Sequence, residues 1–160
     1  MIKFTFIKAK NKIGWTKPFF VAPNQKEKIY LDGRFGYAIF YKNKYQGVIS
    51  FKIKNNQCHI CQIQGSNHKS KEYILPRMKL PFIFKEWEKL LIKKVFLFCR
   101  ANNIQKITIL EAKNSRWLKK NSNPEKPENQ VEIDQLKKRY DRNKKTVEFY
   151  SGKLSSSTTF

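Results

Sequence analysis

YAIFYKNKYQGVISFKIKNNQCHICQIQ (Tyr37–Gln64), followed after an irregular stretch by WEKLLIKKVFLFCRANNIQKITIL (Trp87–Leu110), decides the fold of this 160-residue chain. The first block divides into three strand-like runs, Gly36–Lys42, Tyr45–Ile53 and Gln57–Gln64, separated by Asn43 and by Asn55-Asn56. Asparagine tolerates the left-handed backbone of a tight turn, so two hairpins in succession are the economical reading. Within Phe84–Asn103, Trp87, Leu90, Leu91, Val95, Phe98 and Cys99 recur at helical spacing, and Ile92, Phe96 and Leu97 widen the apolar arc. Such a helix must be covered on most of its sides. Asn102-Asn103 can stop it, and KITIL (Lys106–Leu110) adds a short β-branched run, so helix and strand are expected to pack on the meander. Trp87, Leu91, Val95 and Phe98 should then face the sheet over Trp87–Asn102, with Lys85, Lys89 and Lys93 in water, because burying an unpaired ammonium is costly.

Working outward, IKFTFIK (Ile2–Lys8) alternates as a first strand. Residues 9–35 are punctuated by Pro18, Pro23, Asn24, Asp32 and Gly33 and read as loop with at most brief helix. Gly65–Pro81 is irregular, with Pro76 and Pro81 barred from a central strand or helix interior. Residues 112–130 are polar and contain Pro124 and Pro127, which marks a surface loop. Helical spacing resumes over Val131–Tyr150 through Ile133, Leu136, Tyr140, Val147 and Phe149 or Tyr150, after which SGKLSSSTTF reads as a C-terminal tail. The fold class expected is α/β of the α+β type: a mixed, mainly antiparallel sheet with one central buried helix and a C-terminal helix. Residues 1–154 form one domain and 155–160 a tail.

A chain of this length buries roughly two thirds of its unfolded surface without staples. The three cysteines, Cys58, Cys61 and Cys99, are an odd number in apolar surroundings, which suits a reducing compartment, so a cytoplasmic location is expected. MIKFTFIKAKNK has no signal-peptide core, and lysines break the longest apolar runs, so no membrane partner is expected. A net charge of +22 invites an RNA or DNA partner through a Lys-rich surface. Against that, 28 of the 34 basic residues are lysine, and Asn, Ile, Phe and Tyr are abundant as A/T-rich codons would produce. A chain selected to grip phosphates or bases would be expected to use more arginine for its fixed donor fork.

Cys58-His59-Ile60-Cys61 is a CxxC within an alternating strand. An odd spacing sends the thiols to opposite faces and only His59 and His68 are near, so buried structural thiols are expected and no metal. No catalytic triad, carboxylate pair, GxGxxG or P-loop is present. Tyr37, Phe40, Tyr41, Tyr45 and Phe51 interleave with Lys42, Lys44, Lys52 and Lys54, a pattern shared by a single-strand stacking platform and, more often, by core aromatics alternating with solvated lysines. Asn143, Thr146 and Tyr150 share one helix face, where a phenol could donate a proton or simply pack with its hydroxyl at the rim.

The element order, together with ICQIQG (Ile60–Gly65), WEKLLIKKVFLFCRANNIQKITILEA (Trp87–Ala112) and NKKTVEFY (Asn143–Tyr150), resembles the GNAT N-acetyltransferase superfamily over most of residues 1–150. These runs are similar to its splayed fourth strand, its central helix with fifth strand, and its Asn-x-x-Ala-x-x-x-Tyr helix. The resemblance implies an acyl-CoA-dependent N-acyltransferase using acetyl-CoA or another acyl-CoA, an amine acceptor and no metal. It places the pantetheine arm on the backbone of Gln62, Ile63 and Gln64, the pyrophosphate at the Gly65–Phe84 loop, and thiolate protonation on Tyr150. The family's Gly-rich phosphate loop has no counterpart, since no glycine lies between Gly65 and Gly152, so Lys69, Lys71, Arg77 and Lys79 would supply charge in its place. A degenerate member without acyl-CoA binding, and a non-enzymatic nucleic-acid-binding protein on the same scaffold, are the alternatives.

Overall fold

The computed structural model describes residues 1–8, 19–21, 28–65, 86–110 and 130–156. Five strands form one sheet in the order β1 (Ile2–Lys8), β4 (Phe35–Tyr41), β5 (Lys44–Lys54), β6 (Gln57–Gly65), β7 (Lys106–Ile109). All neighbours are antiparallel except β6 and β7, which run parallel and are joined across α1 (Trp87–Ala101). A parallel pair needs such a crossover, and a helix is its usual form. The chain is therefore α+β, a mixed and mostly antiparallel sheet with α1 and a second helix, α2 (Gln130–Ser156).

Turn chemistry builds the meander as expected. Lys42 and Asn43 have φ of 48° and 62°, and Asn55 and Asn56 have φ of 51° and 57°. Positive φ at both central residues matches the right-handed twist of the flanking strands and pins Tyr41 opposite Lys44 and Lys54 opposite Gln57. Asn103, at φ 56°, ends α1 in the left-handed conformation, with Ile104 N–H returning to the Cys99 carbonyl at 2.8 Å.

The main core lies between the sheet and the two helices. Leu91, Ile92, Val95 and Cys99 of α1 are wholly buried against Ile39, Ile49, Phe51, Cys58 and Ile60. Trp87 and Phe98 are half-buried on the same core, Lys89 and Lys93 face solvent, and Leu97 is exposed on the helix's outer side. A second buried cluster is formed by Ile7, Leu31, Ala38, Phe40, Tyr45 and Val48. Four of the five aromatics that could have formed a stacking platform, Phe40, Tyr41, Tyr45 and Phe51, are buried, and Tyr37 is half-buried, so they are core.

Two segments differ from the sequence reading. Part of residues 9–35 is strand: β2 (Phe19–Val21) pairs antiparallel with β3 (Lys28–Tyr30). Runs of three residues carry too little periodicity to be read, and Pro18 and Pro23 fall just outside the paired residues. The C-terminal helix does not stop at Tyr150 but continues to Ser156. Leu154 anchors that last stretch in the core, and the Ser151 hydroxyl accepts the Ile107 N–H at 3.1 Å. Gly152 lies within this stretch with open space on its side of the helix.

Candidate functional site

The parallel β6–β7 ladder is short. It runs from Gln57 opposite Lys106 to Ile60 opposite Ile109 and closes with Leu110 N–H donating to the Ile60 carbonyl at 3.0 Å. β6 continues beyond this point to Gly65, paired with β5 and with no other strand among the described residues. The register of that second pairing shifts at the same place: Phe51 faces Ile60 and Ser50 faces Gln62, so Cys61 is an extra, bulged residue. A bulge bends its strand and increases local twist, which turns the end of β6 away from β7. Backbone groups of residues 61–65 on the side facing away from β5 have no strand partner among the described residues.

A slot opens where the two strands part. It is lined by Ile60–Ile63 and Ile109–Leu110 of the sheet and by Arg139, Tyr140 and Asn143 from one turn of α2, and its free interior of about 10 Å³ has room for about one water, the rest being an open mouth. These three fall at i, i+1 and i+4, which brings Arg139 and Asn143 one above the other. Asn143 is only 4% exposed and lies on the slot wall, where its side-chain amide carries both a donor and an acceptor. Tyr140 is half-buried beside it.

Arg139 links the slot to a neighbouring stack. The Trp87 indole lies over Gly47 and Gly65, which face each other across β5 and β6, and the Arg139 guanidinium sits 5.4 Å from the indole centroid. Glycine is required at Gly47, because a Cβ there would fall 2.4 Å from the indole. Arg139 Nε bonds the buried carboxylate of Glu88, and Arg142 Nη2 lies 3.6 Å from that carboxylate's other oxygen. Arg139 Nη2 is buried with no acceptor among the described residues.

The sequence-expected residues divide. Ile63 lines the slot and Gln62 contributes to it, but the Gln62 side chain is engaged on the other face of the sheet. There its Oε1 accepts from Asp32 N–H at 3.2 Å and from the Ser50 hydroxyl at 2.9 Å, and its Nε2 donates to Gln64 Oε1 at 2.8 Å. Only the backbone of Gln62 and Gln64 is therefore offered to a slot ligand. Tyr150 lies elsewhere, its ring 4.9 Å from that of Phe96 and its centroid 6.0 Å from Lys153 Nζ. It stands two turns, roughly 10 Å along the helix, from Asn143. Lys69, Lys71, Arg77 and Lys79 lie outside the described residues.

The thiols are quiet. Cys58 is wholly buried, and its hydrogen bond with Cys99, reinforced by burial, pushes its pKa well above the usual thiol range. Burial also raises Cys61, whose thiol donates to the His59 carbonyl at 3.4 Å. Protonated thiols are poor nucleophiles and poor metal ligands. The His59 ring pairs with the Thr108 hydroxyl at 2.6 Å, and among the described residues no three His, Cys, Asp or Glu side chains converge. No helix among them is long and apolar enough to cross a membrane.

Arg139, Tyr140 and Glu88 were not singled out from sequence. The usable signal was the helical stripe itself, since extending it one turn back from Asn143 reaches both Tyr140 and Arg139. Compared with family models, with curated proteins and with solved structures, the chain finds no match in any of the three.

Proposed function

We propose that the slot seats the pantetheine arm of an acyl-CoA and that the protein is an acyl-CoA-dependent N-acyltransferase on a GNAT-like scaffold. The observation that carries this reading is Asn143, buried on the slot wall beside the end of β6 past the Cys61 bulge, whose outer edge has no strand partner among the described residues. A strand edge with free N–H and C=O groups recognises an extended chain bearing its own amides, by adding it as a further strand. Pantetheine is such a chain, and Asn143 supplies a second donor and acceptor from the opposite wall. Apolar Ile60, Ile63, Ile109 and Leu110 exclude water around it.

In this reading the backbone of residues 61–65 binds and orients the arm, and the acceptor amine attacks the thioester carbonyl directly. A phenol placed at the sulfur would donate the proton that the departing thiolate takes. Tyr140 is in the slot and Tyr150 is packed on Phe96, so Tyr140 is the better placed of the two. Lys69, Lys71, Arg77 and Lys79 remain the proposed source of charge for the pyrophosphate.

A second reading, nucleic-acid binding, rests on the outer face of α2, where Lys137, Lys138, Arg142, Lys144 and Lys145 are exposed. Asp134, Asp141 and Glu148 share that surface, which lowers its net charge. The test is calorimetric titration of acetyl-CoA into the full chain, with a single-stranded oligonucleotide titrated in parallel at two salt concentrations. Asn143→Ala is expected to weaken acetyl-CoA binding about tenfold, the worth of one or two hydrogen bonds. Tyr140→Phe should slow turnover with little change in binding, and Tyr150→Phe should do neither. No heat at millimolar acetyl-CoA, alongside steeply salt-dependent oligonucleotide binding, would remove the acyltransferase reading.

A further inference from the structure

The corner formed by Trp87, Glu88, Arg139 and Arg142 has more positive charge and more donors than its internal contacts use. Glu88 brings one negative charge and is flanked by two guanidiniums, so the corner keeps a net charge of +1. Glu88 is held deep, with its side chain 10% exposed, whereas Arg142 is 63% exposed and lies at the rim. A staple between the two helices needs only Arg139 Nε on Glu88 and the stack on Trp87. Nη2 is left buried without an acceptor among the described residues, in a side chain that also lines the slot. Burying a charged donor unpaired is costly, so such a group persists where a ligand satisfies it. The fixed fork of a guanidinium suits a planar or tetrahedral oxyanion, and a neutral amide oxygen gains less from it.

We infer that Arg139 binds an oxyanion carried by the occupant of the slot, with Glu88 holding the guanidinium in place and Arg142 adding charge at the rim. This rests on the acyl-CoA reading, and two parts of such a ligand carry that chemistry: a phosphate of the coenzyme, or a carboxylate at the end of the acyl chain. A lone staple and an oxyanion site differ in how they respond to removing Glu88. Glu88→Gln takes away the competing negative charge, so it should hold or strengthen oxyanion binding, while Arg139→Gln should weaken it.

The experiment titrates coenzyme A, phosphate-free pantetheine, acetyl-CoA and succinyl-CoA into the full chain and both variants, with thermal unfolding run on each. Arg139→Gln is expected to lower affinity about tenfold or more for the oxyanion-bearing member of one pair. A loss for coenzyme A that pantetheine does not share assigns the phosphate. A preference of the parent for succinyl-CoA over acetyl-CoA that vanishes in Arg139→Gln assigns the acyl carboxylate. If both variants bind every probe as the parent does, or both lose affinity in parallel with their melting temperature, Arg139 is a staple and the inference is overturned. Parent protein that binds none of the four probes instead overturns the acyl-CoA reading beneath it. Should Arg139→Gln fail to fold, Arg139→Lys keeps the charge and loses the fork, and unchanged affinity for all four probes in that variant overturns the inference equally.

Discussion

Gly47→Ala tests the packing of Trp87 beside the slot. Its Cβ would stand 2.4 Å from Trp87 Cζ3, 2.9 Å from Cε3 and 3.0 Å from the Gln64 carbonyl oxygen. Carbon atoms in contact rest about 3.5–4.0 Å apart, so the indole must move by roughly 1 Å or the β5–β6 pair must spread. Neither is easy, because Arg139 covers the ring's far side and is tied to Glu88. Overpacking of this kind costs about 1–3 kcal/mol, which at about 2–4 °C per kcal/mol lowers the melting temperature by about 2–12 °C. Gly152→Ala is the control of opposite sign: nothing lies within 4 Å of its Cβ. Within a helix that exchange should stabilise by up to about 1 kcal/mol. Urea unfolding followed by circular dichroism and by fluorescence reads both, in a background carrying Trp15→Phe and Trp117→Phe so that Trp87 alone reports. Gly47→Ala protein as stable as its parent, with unchanged Trp87 emission, would refute the stacking of indole on the glycine pair.

Leu91→Ala removes a wholly buried side chain between α1 and the sheet and should destabilise by roughly 2–5 kcal/mol in the same urea assay. The pH dependence of stability follows from Cys58, whose pKa is raised in the folded chain by its hydrogen bond to Cys99 and by burial. A thiol shifted this way contributes stability that is complete below its unfolded pKa and is lost as pH rises toward its folded one. Stability should therefore fall above about pH 8.5, by up to about 1.4 kcal/mol per pH unit from this group, and the slope should flatten in Cys58→Val. Tyr37 and Cys61, both raised chiefly by burial, should add to the decline in the same direction.

The meander and the central helix were legible because each rests on near neighbours. Asn43 and Asn55-Asn56 specify turns through their own backbone preferences, and Leu91, Val95 and Cys99 specify a buried face through spacing alone. The end of α2 was misread for the complementary reason. SGKLSSS is a poor helix sequence by itself, and it is Leu154 in the core and Ser151 on β7 that keep it helical.

By itself, then, the sequence determined the α+β class, the hairpin turns, the inward face of the central helix and the presence of Asn143 on a helix stripe. Only the tertiary structure decided where that stripe meets the sheet. The slot depends on Cys61 being the bulged residue, which is a property of how β6 registers against β5 and is invisible in either strand alone. It depends equally on Glu88, Arg139 and Trp87 converging from two helices, and on a pair of glycines in different strands that lets the indole lie flat. Periodicity records which side of an element is apolar, whereas a site is made of residues distant in sequence, and their meeting is set by packing between elements.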